Sequence, residues 1–312
     1  MDERSEMLLG FDVGGTKCAA VLGRRTGNEL AIADKEVYAT SEFPTPERCV
    51  KRYVEAMREV LKRNGVRRYS GVGISCGGPL DAERGVVLSP PNLPGWDEVP
   101  ITEMLSREFG CPAQLCNDAD ACAVAEWRFG AGRGCRNMIF LTFGTGLGAG
   151  LILNGALYQG ANNMAGECGH IRLAADGPEG YGKKGSFEGF CSGGGLRQLA
   201  ELAFPGRNLD AKALAQAADA GDETAIQVWR NCGARLGEGL SILIDLLNPE
   251  RIVLGSIFAR SGHLLIPAMR ETLEREALPR SLSVCRIVPA QLGDAIGDYA
   301  CLSVAPSAAE KK

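Results

Sequence analysis

Two glycine-rich segments with an Asn-Asp pair between them contain the residue types that could do chemistry. The segments are GFDVGGTK at 10–17 and FGTGLGAG at 143–150, and the pair is Asn117-Asp118. Because glycine has no side chain, such turns let an anionic ligand approach the backbone N–H groups. A carboxylate can take the proton from a hydroxyl group that attacks a phosphate. The combination points to phosphoryl transfer.

Each of these segments also has a plainer interpretation. In the first turn, Asp12 offers an oxygen ligand for Mg²⁺, directly or through water, and Thr16 and Lys17 can reach phosphate oxygens. The same residues also suit a tight hairpin with a surface lysine. The second turn, which includes Thr145, also suits an ordinary glycine-rich hairpin. Asn117 at a helix start is commonly a cap.

Further polar side chains follow the second turn. Glu167 and His170 stand three residues apart in MAGECGHI, and Glu188 lies in KKGSFEGF. Carboxylates accept paired hydrogen bonds from vicinal hydroxyls, which suits recognition of a polyol. His170 could equally be a structural imidazole, and Glu188 could be a solvated surface group.

The elements that would position these residues read as two sets of strands mixed with helices. Alternation on both sides of each glycine turn predicts strand–turn–strand hairpins. The pattern predicts helices over 46–64, 118–129, 193–203, 209–218, 222–247, 259–276 and 294–304, and strands over 71–76, 113–116, 251–256 and 283–288. We expect two α/β lobes, one from residues 1–117 plus about 291–312 and a larger one from 118–290.

Composition excludes several classes of protein. The chain has 312 residues, 45% of them hydrophobic, and a net charge of -4. No basic stretch is long enough to argue for nucleic acid, and no apolar run is long enough for a transmembrane helix. The 12 cysteines form no CxxC pair and, without a signal peptide, predict reduced thiols in a cytoplasmic protein.

Taken together, these segments resemble the ROK family of sugar kinases and repressors, within the actin-like ATPase superfamily. The resemblance covers nearly the whole chain. It is carried by GFDVGGTK, PNLPGW at 91–96, CNDADACAVAEWRFGAGRG, FLTFGTGLGAGLILNGALYQGANNMAGECGH and VLGS. It implies a bilobal α/β fold of the ribonuclease H-like type, with ATP and sugar in an interlobe cleft, and a homodimer.

The resemblance also assigns residues to roles. It implies that Asp118 is the base for the accepting hydroxyl and that Asp12 serves Mg²⁺, through water. The implied sugar-contacting positions are Gly78, Asn92, Asn117, Asp118, Glu167, His170 and Glu188. The implied nucleotide and phosphate positions are Asp12, Gly14, Gly15, Thr16, Lys17, Gly144, Thr145, Gly146, Gly148, Gly194 and Gly255.

One departure from the family pattern concerns zinc. Many members carry CxCGxxGCxE after the GExGH histidine, whereas this chain has EGYGKKGSFE, with Glu179, Tyr181 and Ser186 where three cysteines would stand. Structural zinc takes about four N or S ligands, so we expect none. We expect packing by Tyr181 and Phe187 to hold the loop over 176–188.

The leading hypothesis is an ATP-dependent kinase of a free monosaccharide, most simply at the 6-hydroxyl of glucose. Fructose, mannose, allose, N-acetylated hexosamines and other phosphate donors remain open. A DNA-binding repressor is disfavoured, since only Met1 to Met7 precede the first strand and a helix-turn-helix needs more residues. A sugar-binding protein without catalysis is the remaining alternative.

Overall fold

The structure, a computed structural model, describes residues 5–307. Its strands are β1 (Ser5–Val13), β2 (Lys17–Thr26), β3 (Glu29–Ala39), β4 (Val72–Cys76), β5 (Leu80–Asp81), β6 (Val86–Val87), β7 (Ala113–Asn117), β8 (Met138–Leu141), β9 (Ala149–Leu153), β10 (Ala156–Tyr158), β11 (Glu179–Gly180), β12 (Lys183–Lys184), β13 (Arg251–Leu254) and β14 (Arg286–Pro289). Its α-helices are α1 (Pro46–Arg63), α2 (Ile101–Phe109), α3 (Asp118–Phe129), α4 (Phe187–Phe190), α5 (Gly193–Ala203), α6 (Ala211–Asp219), α7 (Glu223–Leu247), α8 (Ile257–Glu276), α9 (Pro279–Leu282) and α10 (Ile296–Ser303).

Contacts divide these elements into two units, which we describe separately. Within the described residues, the first comprises 5–133, 159–163 and 294–307, and the second comprises 134–158 and 164–293. The first unit continues through α3 because this helix packs against α10. The domain boundary that we expected between residues 117 and 118 therefore does not coincide with this division into units. The expected division into two domains stays a prediction. Its outer ends, residues 1–4 and 308–312, lie outside the described residues.

The first unit is built on a five-stranded sheet in the order β3-β2-β1-β4-β7. Strands β1 and β2 form an antiparallel hairpin, while β1, β4 and β7 run parallel. The register places Val13 beside Cys76, and Cys76 beside Asn117. Because ligands of open α/β sheets bind beyond the carboxyl ends of parallel strands, this edge is where the residues after β1, β4 and β7 can act together.

The core of the first unit lies between this sheet and α1. The rings of Phe11 on β1 and Tyr53 on α1 stack with centroids 4.0 Å apart, and both side chains are fully buried. The Thr45 side chain caps α1 by accepting the Arg48 N–H, which explains why the helix begins at Pro46.

The second unit has a five-stranded sheet in the order β10-β9-β8-β13-β14. Strands β8 and β9 are antiparallel and joined by the second glycine turn, while β8, β13 and β14 are parallel. Leu141 and Leu254 are register partners, so the segments after β8 and β13 leave the sheet side by side. Trp229 on α7 is fully buried in the core of this unit.

The mixed α/β class expected from the sequence is confirmed. Helix α3 spans Asp118–Phe129 as expected, and both glycine turns are hairpins. Strand β3 was not predicted from the sequence. The burial of its side chains alternates, because one face of the strand is covered and the other faces solvent. Within residues 5–307, no helix combines the length and apolar character that a membrane span requires.

Candidate active site

The first glycine turn closes tightly between β1 and β2. The Gly14 N–H donates to the Lys17 carbonyl oxygen at 3.1 Å. A methyl group added to Gly14 would lie 2.7 Å from that oxygen, and one added to Gly15 would lie 2.8 Å from Cβ of Asn92. The hairpin therefore requires glycine at both positions. It also brings the predicted sugar residue Asn92 against the predicted phosphate turn.

The rim of this turn is available to a ligand. Gly15, Thr16 and Lys17 are exposed. The Thr40 hydroxyl, which follows β3, donates to the Gly14 carbonyl oxygen at 2.6 Å and fixes the turn. A rigid turn with an exposed hydroxyl, an ammonium group and backbone N–H groups is suited to phosphate.

The Asn117-Asp118 pair lies where β7 passes into α3. The Asn117 side chain accepts the Ala119 N–H at 3.0 Å and so caps the helix, and Asp118 Oδ1 accepts the same N–H at 2.8 Å. Asn117 also lies close to Gly78, since a methyl group there would be 3.3 Å from its Nδ2. Asn117 is therefore a helix cap, as its plainer interpretation predicts. The hydrogen bond from the Ala119 N–H uses Oδ1 of Asp118 and leaves Oδ2 outside that bond.

Asp118 is exposed by surface area, yet protein atoms crowd it from most sides. This crowding removes water from the carboxylate and raises its pKa above the ordinary range, while the Ala119 N–H opposes the shift. The exposed area shows that a small molecule can reach the carboxylate. A carboxylate with a raised pKa is a better proton acceptor than a free one.

Asp12 is the second carboxylate at the same edge of the sheet. Its pKa is raised to about 6, chiefly by burial, then by the negative charges of Asp298 and Asp118; Lys17 and Lys35 oppose the shift. Mutual repulsion of carboxylates makes the place attractive to a cation.

Helix α10 contributes residues to this edge that were not predicted from the sequence. Asp298 on α10 is buried and pairs with Lys35 Nζ at 2.7 Å. A methyl group on the preceding residue, Gly297, would lie 2.7 Å from Asp12 Oδ2. Asp298 and Lys35 are 263 residues apart, so no local pattern could have paired them.

The second glycine turn is bonded to the segments that the resemblance places around the nucleotide. The N–H groups of Gly193 and Gly194, at the start of α5, donate to the carbonyl oxygens of Gly144 and Thr145, at 2.8 and 3.2 Å. The Gly255 N–H donates to the Leu141 carbonyl oxygen at 2.9 Å. The structure thus brings Gly144, Thr145, Gly146, Gly148, Gly194 and Gly255 into one part of the second unit.

Glu167, His170 and Glu188 occupy different environments. Glu167 and His170 are exposed, and the His170 ring meets the Tyr181 ring edge-on with centroids 6.4 Å apart. Glu188 is half-buried and accepts the Leu147 N–H of the second glycine turn at 2.9 Å. Glu188 is therefore joined to the phosphate turn, whereas Glu167 and His170 present their side chains to solvent.

The loop over 176–188 is held differently from our expectation. Phe187 is fully buried, as expected, but Tyr181 is 74% exposed and contributes no core packing. The loop is stabilised by its backbone hydrogen bonds and by Gln198, whose side chain bonds both the N–H and the carbonyl oxygen of Glu179, at 2.9 and 2.8 Å. The expected packing by Tyr181 is wrong. Tyr181 lies at the exposed tip of the hairpin between β11 and β12, where its φ is left-handed.

The described residues offer oxygen ligands for Mg²⁺ but no cluster of metal ligands. Within residues 5–307, no group of three or more His, Cys, Asp or Glu side chains converges as a metal centre. Mg²⁺ does not require one, since it commonly takes one or two carboxylates together with waters and substrate phosphates. Asp12, an oxygen donor among like charges, fits that requirement.

The comparisons with known proteins agree with this arrangement. The ROK family model matches residues 8–305. A glucokinase of Streptomyces coelicolor is 31% identical over 310 residues, covering 93% of this chain and 95% of the relative. The ROK hexokinase structure from Thermus thermophilus is 31% identical, with a TM-score of 0.81 and coverage of 96% of this chain and 97% of that one.

A ROK family glucokinase from Streptomyces griseus, solved in complex with glucose and AMPPNP, is 29% identical. Its TM-score is 0.77, and the match covers 96% of this chain and 99% of that one. These proteins share the two-sheet α/β architecture of actin-like ATPases. The chain belongs to the ROK family.

Proposed function

We propose that this ATP-dependent sugar kinase transfers the γ-phosphoryl group of ATP to the 6-hydroxyl of glucose or a closely related hexose. The observation that carries the proposal is the carboxyl edge of the first sheet. There Asp118, exposed and with a raised pKa, lies near Asp12, and the tight turn of Gly14 and Gly15 follows β1, the strand that carries Asp12. The glucokinase relatives and the relative solved with glucose and AMPPNP support the class of reaction.

In this mechanism Asp118 acts as the general base. The hydroxyl oxygen of the sugar attacks the γ-phosphorus, the bond from that phosphorus to the ADP oxygen breaks, and the hydroxyl proton passes to the Asp118 carboxylate. The bond from the Ala119 N–H to Oδ1 orients the carboxylate and leaves Oδ2 for the proton. Positioning supplies most of the rate, because phosphoryl transfer asks for little covalent chemistry from the protein.

The remaining residues bind and orient the two substrates. We assign the phosphates to the two glycine turns, with Thr16, Lys17 and Thr145 at their exposed rims. We assign the sugar hydroxyls to Asn92, Asn117, Glu167, His170 and Glu188. Mg²⁺, held by Asp12 directly or through water, would supply charge neutralisation on the phosphates.

Release of ADP across a panel of monosaccharides tests this proposal. Glucose, mannose, fructose, allose and two N-acetylated hexosamines would each be offered with Mg-ATP, and the phosphorylated position read by ³¹P NMR. We expect release with one or a few hexoses and a 6-phosphate as product. Absence of sugar-dependent release by folded protein would contradict the proposal. Inorganic polyphosphate in place of ATP tests the donor.

Two other expectations stay predictions. The homodimer implied by the resemblance would appear in sedimentation equilibrium as twice the mass of one chain. A cytoplasmic location would appear as recovery of the protein in the cytoplasmic fraction of its native cells.

A further inference from the structure

The Glu188 carboxylate, which accepts the Leu147 N–H, is carried by a backbone segment that is held in place. It lies in α4, which Ser186 caps by accepting the Gly189 N–H at 3.0 Å. The neighbouring Phe187 ring is fully buried, and the Phe187 N–H donates to the Ile171 carbonyl oxygen at 2.8 Å. The backbone that carries Glu188 is therefore anchored in the core of the second unit.

The other side of the contact is shaped to receive this carboxylate. Oε2 of Glu188 accepts the Leu147 N–H at 2.9 Å. A methyl group on Gly146 would lie 2.7 Å from the same oxygen, and one on Gly169 would lie 3.3 Å from Cβ of Glu188 and collide with the Leu147 carbonyl oxygen. The two glycines leave the space that the bond requires. A charged acceptor makes this a strong hydrogen bond.

The second oxygen of the carboxylate is left for another donor. Among residues 5–307, Oε1 of Glu188 accepts no hydrogen bond. A carboxylate accepts at both oxygens independently. One side chain can thus hold the Leu147 N–H and a ligand hydroxyl at the same time.

We propose that Glu188 is the positioning residue that couples sugar binding to nucleotide binding in the second unit. Oε2 anchors the phosphate turn through Leu147, and Oε1 accepts a hydroxyl of the sugar. A bound sugar restrains the carboxylate, which in turn orders the turn for the nucleotide phosphates. By linkage, nucleotide binding favours the sugar to the same extent. This inference rests on the proposed function and adds a role that a plain sugar contact does not have.

Calorimetric titration of a non-hydrolysable ATP analogue with Mg²⁺, with and without glucose or the sugar active in the panel, tests the coupling. Without sugar, Glu188→Ala is expected to weaken analogue binding about tenfold or more, since a hydrogen bond to a charged group is lost. The increase in analogue affinity that sugar causes should disappear. Glu188→Gln retains an oxygen that accepts the Leu147 N–H, so its sugar-free analogue affinity should stay within about threefold of wild type while sugar binding weakens.

Two further variants keep the result interpretable. Glu179→Ala, in the exposed hairpin of the same loop, is the matched control and should leave both affinities unchanged. Gly146→Ala displaces the carboxylate from the opposite side. Because Gly146 is itself in the phosphate turn, the diagnostic quantity is the increase in analogue affinity that sugar causes, which should disappear as in Glu188→Ala.

The coupling role and the proposed function are contradicted by different results. Wild type that binds neither analogue nor sugar would overturn both. If wild type binds both but Glu188→Ala and Gly146→Ala bind the analogue as wild type does, with the sugar effect intact, the coupling role is refuted and the kinase proposal stands.

Discussion

Replacement of Asp12 by Asn is expected to stabilise the protein while impairing its activity. Asp12 is on the central strand β1, where Ala19 and Ser75 are its register partners. Burial and the charges of Asp298 and Asp118 disfavour its ionised form. Asn keeps the shape of the side chain and removes the charge, so the variant isolates the electrostatic cost.

The magnitude follows from the pKa. Asp12 shifts from 3.8 to about 6, and one pKa unit corresponds to about 1.4 kcal/mol, so its ionisation at pH 7 costs the fold about 3 kcal/mol. Between about pH 4 and pH 6 the folded state binds more protons than the unfolded state. The free energy of unfolding therefore falls as pH rises through this window, and below it the cost vanishes.

Urea unfolding at pH 4, 5, 6 and 7 measures this difference. Asp12→Asn should be about 3 kcal/mol more stable than wild type at pH 7 and nearly equal to it at pH 4. Asp34→Asn is a control of opposite sign, because the hydrogen bond from Arg63 lowers the pKa of Asp34 to about 2. That variant should be slightly less stable at pH 7, by a small amount since the pair is open to solvent. A stability difference for Asp12→Asn that is absent or independent of pH would refute the reasoning.

Three further outcomes are expected. Gly297→Ala, whose methyl group would lie 2.7 Å from Asp12 Oδ2, should raise the Mg²⁺ concentration for half-maximal turnover severalfold, and an unchanged Mg²⁺ titration would contradict the packing. Thr40→Val removes the 2.6 Å bond to the Gly14 carbonyl; it should raise the KM for ATP a few-fold and lower the unfolding free energy by about 1 kcal/mol, and an unaltered KM would show that the turn needs no such support. Purified protein should contain no stoichiometric zinc by mass spectrometry, and treatment with a chelator followed by Mg²⁺ should restore full activity; zinc at one per chain would overturn this.

Elements with strong local signals were predicted well. Helix α1 has an apolar face and a Thr45 cap, and both glycine turns are flanked by alternating strands. Local sequence is enough here because the turn residues and the periodicity agree. Strand β3 was missed although Gly27-Asn28 forms a two-residue turn between it and β2. Its charged and partly exposed side chains hid the alternation that marks a strand.

Residues that depend on distant packing could not be predicted. The pairing of Lys35 with Asp298 and the bond from Leu147 to Glu188 join segments far apart in the chain. The Tyr181 prediction failed because aromatic character alone does not determine which side of a hairpin is buried. The resemblance named Glu188 as a sugar residue, but only the structure reveals its bond to the phosphate turn.

The role of Asp118 is the central claim, and turnover of Asp118→Asn beside wild type tests it most directly. Sugar-dependent ADP release would be measured at saturating Mg-ATP and sugar, with Asp219→Asn, an exposed aspartate on α6, as the matched control and calorimetry confirming that both substrates still bind. We predict that Asp118→Asn lowers kcat by about 10²–10⁴-fold, while Asp219→Asn keeps wild-type turnover. Near-normal kcat in folded Asp118→Asn would show that another group accepts the proton.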